Sequence, residues 1–363
     1  MKILEIVETL APGGGQRFVV DLSNELSKKN EVAICTFRIK KNSEFYRSEI
    51  YPEIKQFIYK GNWSIKSKII QLFIIFKTIK KYQPDIVHCH LLAFPYVILP
   101  SLIFHKIKFY YTVHNIADKD TAPGISSYLR KVFLRKKIKA ITISPYCEQT
   151  FKEYYKYPSF KMINNGCRDV VLTPQYPTVK TEIDKLKKTP NTKVFINVAR
   201  IMEQKNHKLL VSSFCEFIKR GHDAILLIIG DTSNNLIKKD LDQINTSNNI
   251  FFLGVKNNIP DYLAASDYFC LSSLWEGLPI SLLEAGLIGL YSICTPVGGI
   301  PDVIINNSMG ILSKDLTMDS YVNALEKAWH TTPNPDYIRS FYKEKYSMQY
   351  CAEQYNKNFI QKH

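Results

Sequence analysis

The 363-residue sequence predicts an α/β protein of two doubly wound parallel sheets, and three observations carry that prediction. Short apolar runs alternate with amphipathic helical patterns along the chain, as strands buried on both faces by crossover helices do. The length is generous for one core and suits two domains. One stretch, 173–191, interrupts the alternation with Pro174, Pro177 and Pro190 among scattered Lys and Thr, which reads as an interdomain linker.

The first domain, 1–172, opens with a strand at 2–7. Ala11-Pro12-Gly13-Gly14-Gly15-Gln16-Arg17 follows, a turn whose glycines let the backbone approach a ligand closely and point N–H groups at it. A dinucleotide fingerprint would need a third spaced glycine where Phe18 stands, so a nicotinamide or flavin site is not expected. An apolar helix at 18–26 leads to strands at 32–37, 86–90, 109–113 and 140–144, all too short for helices and rich in β-branched and aromatic residues. The second domain, 192–344, has strands at 194–198, 224–229, 250–253, 268–271 and 291–295. A helix at 208–220 closes at Gly221 in the C-cap position, and another opens with Pro279 as first helical residue, where a missing N–H costs nothing. The segment 336–360 is helical and rich in Tyr and Lys.

Composition excludes several classes. Residues 1–8 carry acids where a secretory signal is apolar, and the longest apolar run, 91–104, is short and holds Pro95 and Pro100. A cytoplasmic protein without a membrane span is expected. Eight cysteines with no Cys-x-x-Cys suggest neither a zinc site nor a disulfide framework. Of the net charge of +15, residues 1–170 hold 28 Lys/Arg against 14 Asp/Glu, and the remainder 20 against 19. The first half therefore meets something anionic. No nucleic-acid motif is present, so nucleic acid is not the expected partner. A membrane surface fits better: Ile65-Lys66-Ser67-Lys68 and Lys77-Thr78-Ile79-Lys80-Lys81 flank an apolar helix, and 130–137 interleaves basic and apolar residues. The alternative is a helix that packs on a sheet and turns its lysines to water.

The chemistry-bearing residues concentrate in the second half. Glu276 precedes the helix that Pro279 opens, and Glu284 lies on its second turn. A helix N-terminus offers free N–H groups and partial positive charge, so this arrangement can hold a diphosphate while two carboxylates bind hydroxyls, as a sugar nucleotide requires. Arg200 and Lys205 follow the strand at 194–198, at the edge where doubly wound sheets bind ligands. A cation about 4 Å from a leaving diphosphate is worth up to roughly 4 kcal/mol at an effective dielectric near 20. His88 and His90 share a strand face without a third metal ligand in view and read as structural. His114 follows a strand at the level of a crevice, where it can donate a hydrogen bond. Asp118/Asp120 and Asp240/Asp242 imitate a metal-binding Asp-x-Asp, but two acids one residue apart are common by chance and Asp240/Asp242 lie on a helix exterior, where i and i+2 diverge, so no required metal is expected.

Taken together, these segments resemble family 4 of the retaining glycosyltransferases, of the kind used to build bacterial O-antigen and capsule polysaccharides. Gly13-Gly14-Gly15-Gln16-Arg17 resembles the family's Gly-Gly-x-Glu-Arg loop, and Pro84-Asp85-Ile86-Val87-His88-Cys89-His90 its Pro-Asp-(apolar)-(apolar)-His-x-His strand. Thr112-Val113-His114, Ile163-Asn164-Asn165-Gly166, Ile228-Ile229-Gly230-Asp231 and Phe252-Leu253-Gly254-Val255 also correspond, as do Glu276 to Glu284 and Thr295-Pro296-Val297-Gly298-Gly299-Ile300-Pro301-Asp302. The resemblance implies the GT-B architecture, two Rossmann-like domains facing across a cleft, with a last helix (about 345–363) that returns to the first. It assigns Arg200 and Lys205 to the diphosphate, Glu284 to the ribose, Glu276 with Gly277 and Leu278 to the donor sugar, Gly230 and Val255 to the nucleotide, His114 to the donor sugar, and Gly13, Gly14, Gly15 and Gln16 to substrate. Gln16 replaces an acid, and Pro279 stands where many members have Gly. The implied reaction is metal-free and cofactor-free transfer from a nucleotide sugar, UDP preferred, to a saccharide, with a lipid-linked oligosaccharide at a membrane face as the expected acceptor. A sugar-nucleotide epimerase, a phosphorylase needing pyridoxal phosphate and a non-catalytic membrane- or nucleic-acid-binding protein are the competing readings.

Overall fold

The computed structural model describes residues 1–38, 43–59, 65–120 and 125–360, with 65, 66, 125 and 126 as backbone only. It contains two compact units, Met1–Arg168 with the segment from Tyr346, and Asp169–Lys345. In chain order the elements are β1 (Lys2–Ile6), α1 (Gly14–Ser27), β2 (Glu31–Thr36), β3 (Lys55–Ile58), α2 (Ile65–Tyr82), β4 (Ile86–His90), α3 (Phe94–Ile103), β5 (Lys108–Val113), α4 (Ile125–Lys136), β6 (Ile138–Thr142), α5 (Pro145–Tyr155) and β7 (Lys161–Met162). Then come α6 (Tyr176–Asp184), β8 (Lys193–Val198), α7 (His207–Lys219), β9 (Ala224–Ile229), α8 (Asn235–Ile244), β10 (Ile250–Gly254), α9 (Ile259–Ala264), β11 (Tyr268–Leu271), α10 (Ile280–Ile288), β12 (Tyr291–Cys294), β13 (Gly310–Leu312), α11 (Met318–Trp329), α12 (Pro335–Tyr346) and α13 (Met348–Ile360).

The first unit's sheet runs β3-β2-β1-β4-β5-β6-β7 and the second unit's β10-β9-β8-β11-β12-β13, all parallel. In each, the first strand lies inside the sheet and the order reverses beside it, at β1/β4 and at β8/β11. Loops that leave two such neighbours turn to opposite faces, and a crevice opens at the strands' carboxyl ends. The central strands are buried along their length, which is why they read as continuous apolar runs.

Three strands were not foreseen. β3 buries only Phe57 of Lys-Gln-Phe-Ile, and β7 and β13 are two and three residues long, so none carries a periodic signal. The stretch read as a linker instead contains α6, with Pro177 in its first turn and Val179 and Ile183 buried one turn apart against α9. The closing helical segment is two helices. They part at Ser347, where Cys167 N–H donates to Tyr346 O (2.8 Å) and Met348 N–H donates to Cys167 O (2.7 Å). α13 packs on α1 and on the sheet. Asn30 Nδ2 donates to Asn356 Oδ1 (2.8 Å), and Lys108 Nζ donates to the carbonyl of Phe359. A Cβ at Gly166 would stand 2.6 Å from Cys351 Cβ, so that glycine is required by the seat of α13.

Candidate active site

The β8/β11 reversal brings together the two loops that the sequence singles out. After β8, Ala199 and Arg200 run into a tight turn at Glu203–Lys205, and left-handed Asn206 (φ 46°) redirects the chain into α7. After β11, Ser272 to Pro279 lead into α10. Ser272 Oγ lies 3.0 Å from the carbonyls of both Lys205 and Asn206, and Leu274 N–H donates to Gln204 O (2.8 Å). On this frame Lys205 Nζ meets Glu276 Oε1 at 2.5 Å, and Ser273 Oγ donates to the same oxygen at 2.6 Å. Glu276 is 4% exposed, so its charge is held by these two groups, and by Gln204 Nε2 donating to Oε2 at 3.5 Å, instead of by water. Arg200 is exposed and forms no ion pair among the described residues.

Thr295 Oγ1 donates to Ser273 O (2.7 Å) and Gly299 N–H to Gly277 O (2.8 Å), which lays the Gly298-Gly299 turn over this loop. Gly298 has φ +61°, and a Cβ there would lie 1.9 Å from the carbonyl oxygen of Glu276. α10 begins at Ile280, one residue later than expected, because Pro279 is extended (φ −72°, ψ 123°) and occupies the cap. The amides of Ile280 and Ser281 are then the first without an intrahelical acceptor. Glu284 is half-buried on the second turn, and Leu278 is buried, so its side chain belongs to the core. On the other flank, a Cβ at Gly230 would lie 2.0 Å from Ala199 O, and Gly230 N–H donates to Gly254 O (2.9 Å). Arg200, Gly230 and half-exposed Val255 thus top three adjacent strands.

In the first unit α1 starts at Gly14, so Gly14, Gly15 and Gln16 form the first helical turn and not a loop before it. Gly15 is tight because a Cβ there would come 2.9 Å from a Leu91 methyl, and Gln16 Nε2 donates to Glu8 Oε1 (3.2 Å). His114 follows β5, half-buried, with Nε2 2.9 Å from His90 Nδ1. Behind it stands Glu5, fully buried, 2.7 Å from His90 Nε2 and 3.1 Å from His88 Nδ1. Burial alone would raise the Glu5 carboxyl, but His88 and then His90 hold it down at about 2. Burial pushes His90 down to about 4 and His114 well below the ordinary imidazole range. Glu5 is the third member that His88 and His90 lacked in the sequence. The three offer ligand atoms within 4.8 Å of one another, yet these atoms are already spent on mutual hydrogen bonds. A lone acid in the otherwise apolar run Ile-Leu-Glu-Ile was the signal available for it.

The Asp-x-Asp imitations have separate partners. Asp120 is paired with Arg130 and accepts from Tyr111 OH (2.8 Å), whereas Asp118 is exposed beside Lys119. Asp240 pairs with Lys208 at 3.2 Å and Asp242 with Lys238. Arg130, counted with the basic surface at 130–137, is instead 3% exposed and stacked 4.7 Å and 4.8 Å from the Phe94 and Tyr111 rings. The Lys66 side chain, also counted there, lies outside the described residues. No helix among the described residues is long and apolar enough to cross a membrane.

Residues 12–169 match Glycosyltransferase Family 4, and residues 178–345 match Glycosyl transferases group 1. An uncharacterized glycosyltransferase of Methanocaldococcus jannaschii is 27% identical over 66% of this chain and 62% of its own length. The UDP-Gal:alpha-D-GlcNAc-diphosphoundecaprenol alpha-1,3-galactosyltransferase of Escherichia coli is 29% identical over 73% of this chain and 71% of its own. Among solved structures, HepE of Anabaena in complex with UDP and glucose superposes with a TM-score of 0.84 over 98% of both chains, at 16% identity, which speaks to the fold. With two matched families covering the two halves, and both sheets as this architecture requires, the chain belongs to the family 4 glycosyltransferases and has the GT-B fold.

Proposed function

We propose that the protein transfers a sugar, with retention of configuration, from a UDP-sugar to a saccharide carried on a lipid diphosphate. The observation that carries this reading is the meeting of Lys205 and Glu276 at the β8/β11 reversal, a cation and a buried carboxylate beside the open N-terminus of α10. Arg200, Lys205 and the α10 amides take the diphosphate, Glu284 the ribose, Glu276 with the Gly277 and Leu278 backbone the donor sugar, and the strand ends at Gly230 and Val255 the nucleoside. In the first unit, the carboxyl edge at Gly13, Gly14, Gly15, Gln16 and His114 is assigned to sugar hydroxyls. The acceptor oxygen bonds to the anomeric carbon on the face from which the diphosphate leaves. The acceptor proton passes to a departing diphosphate oxygen, and the cations stabilise the charge that develops there. Binding energy and positioning supply the rest, and no metal or cofactor is required. UDP is supported by the HepE complex, and a diphosphate-lipid acceptor by the name of the Escherichia coli relative.

An anionic membrane face is the proposed place of work. α3 packs against both α2 and α4, and the three expose Ile69, Ile70, Phe73, Leu102, Ile103 and Tyr128, bordered by Lys77, Lys80, Lys81 and 131–137. Apolar insertion with flanking cations is how peripheral proteins hold such surfaces. Thermal shift with UDP, GDP and ADP, followed by mass analysis of products with and without acceptor, tests the reaction. Stabilisation by none of the three, or an altered nucleotide sugar formed without acceptor, would refute it. Flotation with vesicles should depend on anionic lipid and fall in Phe73→Glu; equal flotation with neutral vesicles speaks against membrane docking.

A further inference from the structure

The buried polar ladder in the first unit runs in one direction, and that direction fixes which atom His114 offers. Glu5 pairs with His88, and His90 with Thr112, across parallel strands, and residues i and i+2 share a face. Glu5, His88, His90, Thr112 and His114 therefore line one side of the central sheet. α1 and α13 seal it: the Phe18 ring lies 5.4 Å from His114, and Tyr355 lies 5.2 Å from His88. In such a place each donor needs an acceptor. Ionised Glu5 only accepts, so His90 Nε2 at 2.7 Å carries the proton, and a neutral ring keeps its lone pair on Nδ1. That lone pair faces His114 Nε2 at 2.9 Å, which must then be the N–H. The other arm is built alike. His88 Nδ1 donates to Glu5, and His88 Nε2 accepts from Thr112 Oγ1 (2.8 Å), which accepts from Tyr355 OH (2.9 Å).

We propose that Glu5 and His90 are positioning residues that lock His114 in its Nε2–H tautomer, so that His114 Nδ1 accepts a hydrogen bond from a substrate sugar hydroxyl and does not donate one. The inference rests on the assignment of His114 to sugar under Proposed function. Among the described residues, His114 Nδ1 has no hydrogen-bond partner. The opposite polarity needs a cationic His90 donating on both sides, which burial opposes.

Nitrogen-15 spectra of the histidine-labelled full chain test the ladder without any substrate. The expected result is a proton covalently on His114 Nε2, with scalar coupling across the bond to His90 Nδ1; a proton on His90 Nδ1 or on His114 Nδ1 would overturn it. His90→Phe should abolish the coupling and lower kcat/KM about tenfold, the size of one neutral hydrogen bond. Tyr355→Phe breaks only the His88 arm and should keep both coupling and tautomer, with kcat/KM within about twofold; equal losses in the two variants would mean plain loosening of the fold. Replacing the contacting hydroxyl by fluorine, which cannot donate, should cost as much as deleting it, whereas retained activity would show that His114 donates. Absent transfer with an intact ladder spectrum would sink the glycosyl-transfer reading and leave the tautomer assignment standing.

Discussion

Lys205→Ala separates two jobs that one ammonium performs. In the free protein the Lys205 side chain, 16% exposed, neutralises the Glu276 side chain, which is 6% exposed. Removing one partner of a fully buried pair costs about 3–5 kcal/mol, and the partial exposure of Lys205 brings this to about 2 kcal/mol. For a unit of this size that is a fall of roughly 4–8 °C in Tm. During transfer the same cation faces a departing diphosphate. Its full attraction at about 4 Å is about 4 kcal/mol, and sharing with Glu276 halves it, leaving an expected loss of about 30-fold in kcat at saturating donor. Glu276→Gln in the same chain removes the orphaned charge, so the double variant should recover most of the Tm and none of the turnover. UDP release at saturating UDP-sugar and acceptor, with melting curves on the same samples, measures both quantities. A Lys205→Ala enzyme with kcat within twofold of wild type and a lowered Tm would show that the lysine serves the fold alone and remove it from the mechanism.

Acid should begin to weaken the fold as pH falls below 6.5, through two buried histidines. His90 and His207 are buried neutral with pKa values near 4, against 6.5 in an unfolded chain, so between those limits the unfolded state binds more protons and stability rises with pH. Each contributes about 3 kcal/mol that is present above pH 6.5 and lost by pH 4, and urea midpoints at pH 7, 5.5 and 4.5 that coincide would contradict this. Gly298→Ala should abolish transfer, because its methyl group would strike the Glu276 carbonyl. Gly221→Ala, also at positive φ (+95°) but with nothing within 4 Å, should cost only about 1 kcal/mol and leave kcat unchanged; similar behaviour of the two variants would contradict the role of the turn. Asp120→Asn leaves the Arg130 charge buried without its counter-ion and should destabilise the first unit by about 3 kcal/mol, read as a lower urea midpoint.

What the sequence disclosed and what it hid divide along a physical line. Strands such as Ala224–Ile229 are buried on both faces, so every residue must be apolar and the run announces itself. Edge strands such as Lys55–Ile58 bury one residue and look like loop. That Lys205 and Glu276 share one crevice was legible because each residue stands in a local pattern, one after a strand and one before a helix, and doubly wound sheets bring such loops together; that the two pair with each other was not. Arg130 was misread for the complementary reason. A local run of lysines and arginines does not show which of them has Asp120 for a partner and two aromatic rings to stack on, since burial of a charge is decided by residues distant in the chain. Glu5 is the extreme case: it lies 83 residues from His88 and 85 from His90, and only strand register joins them. Sequence proximity thus exposes groups that act through backbone geometry, while groups that act through a buried partner become visible when the sheet is assembled. A histidine at a strand end is accordingly best judged by what stands behind it. His114 can be an acceptor because His90 and Glu5 leave its ring one protonation pattern that satisfies every donor.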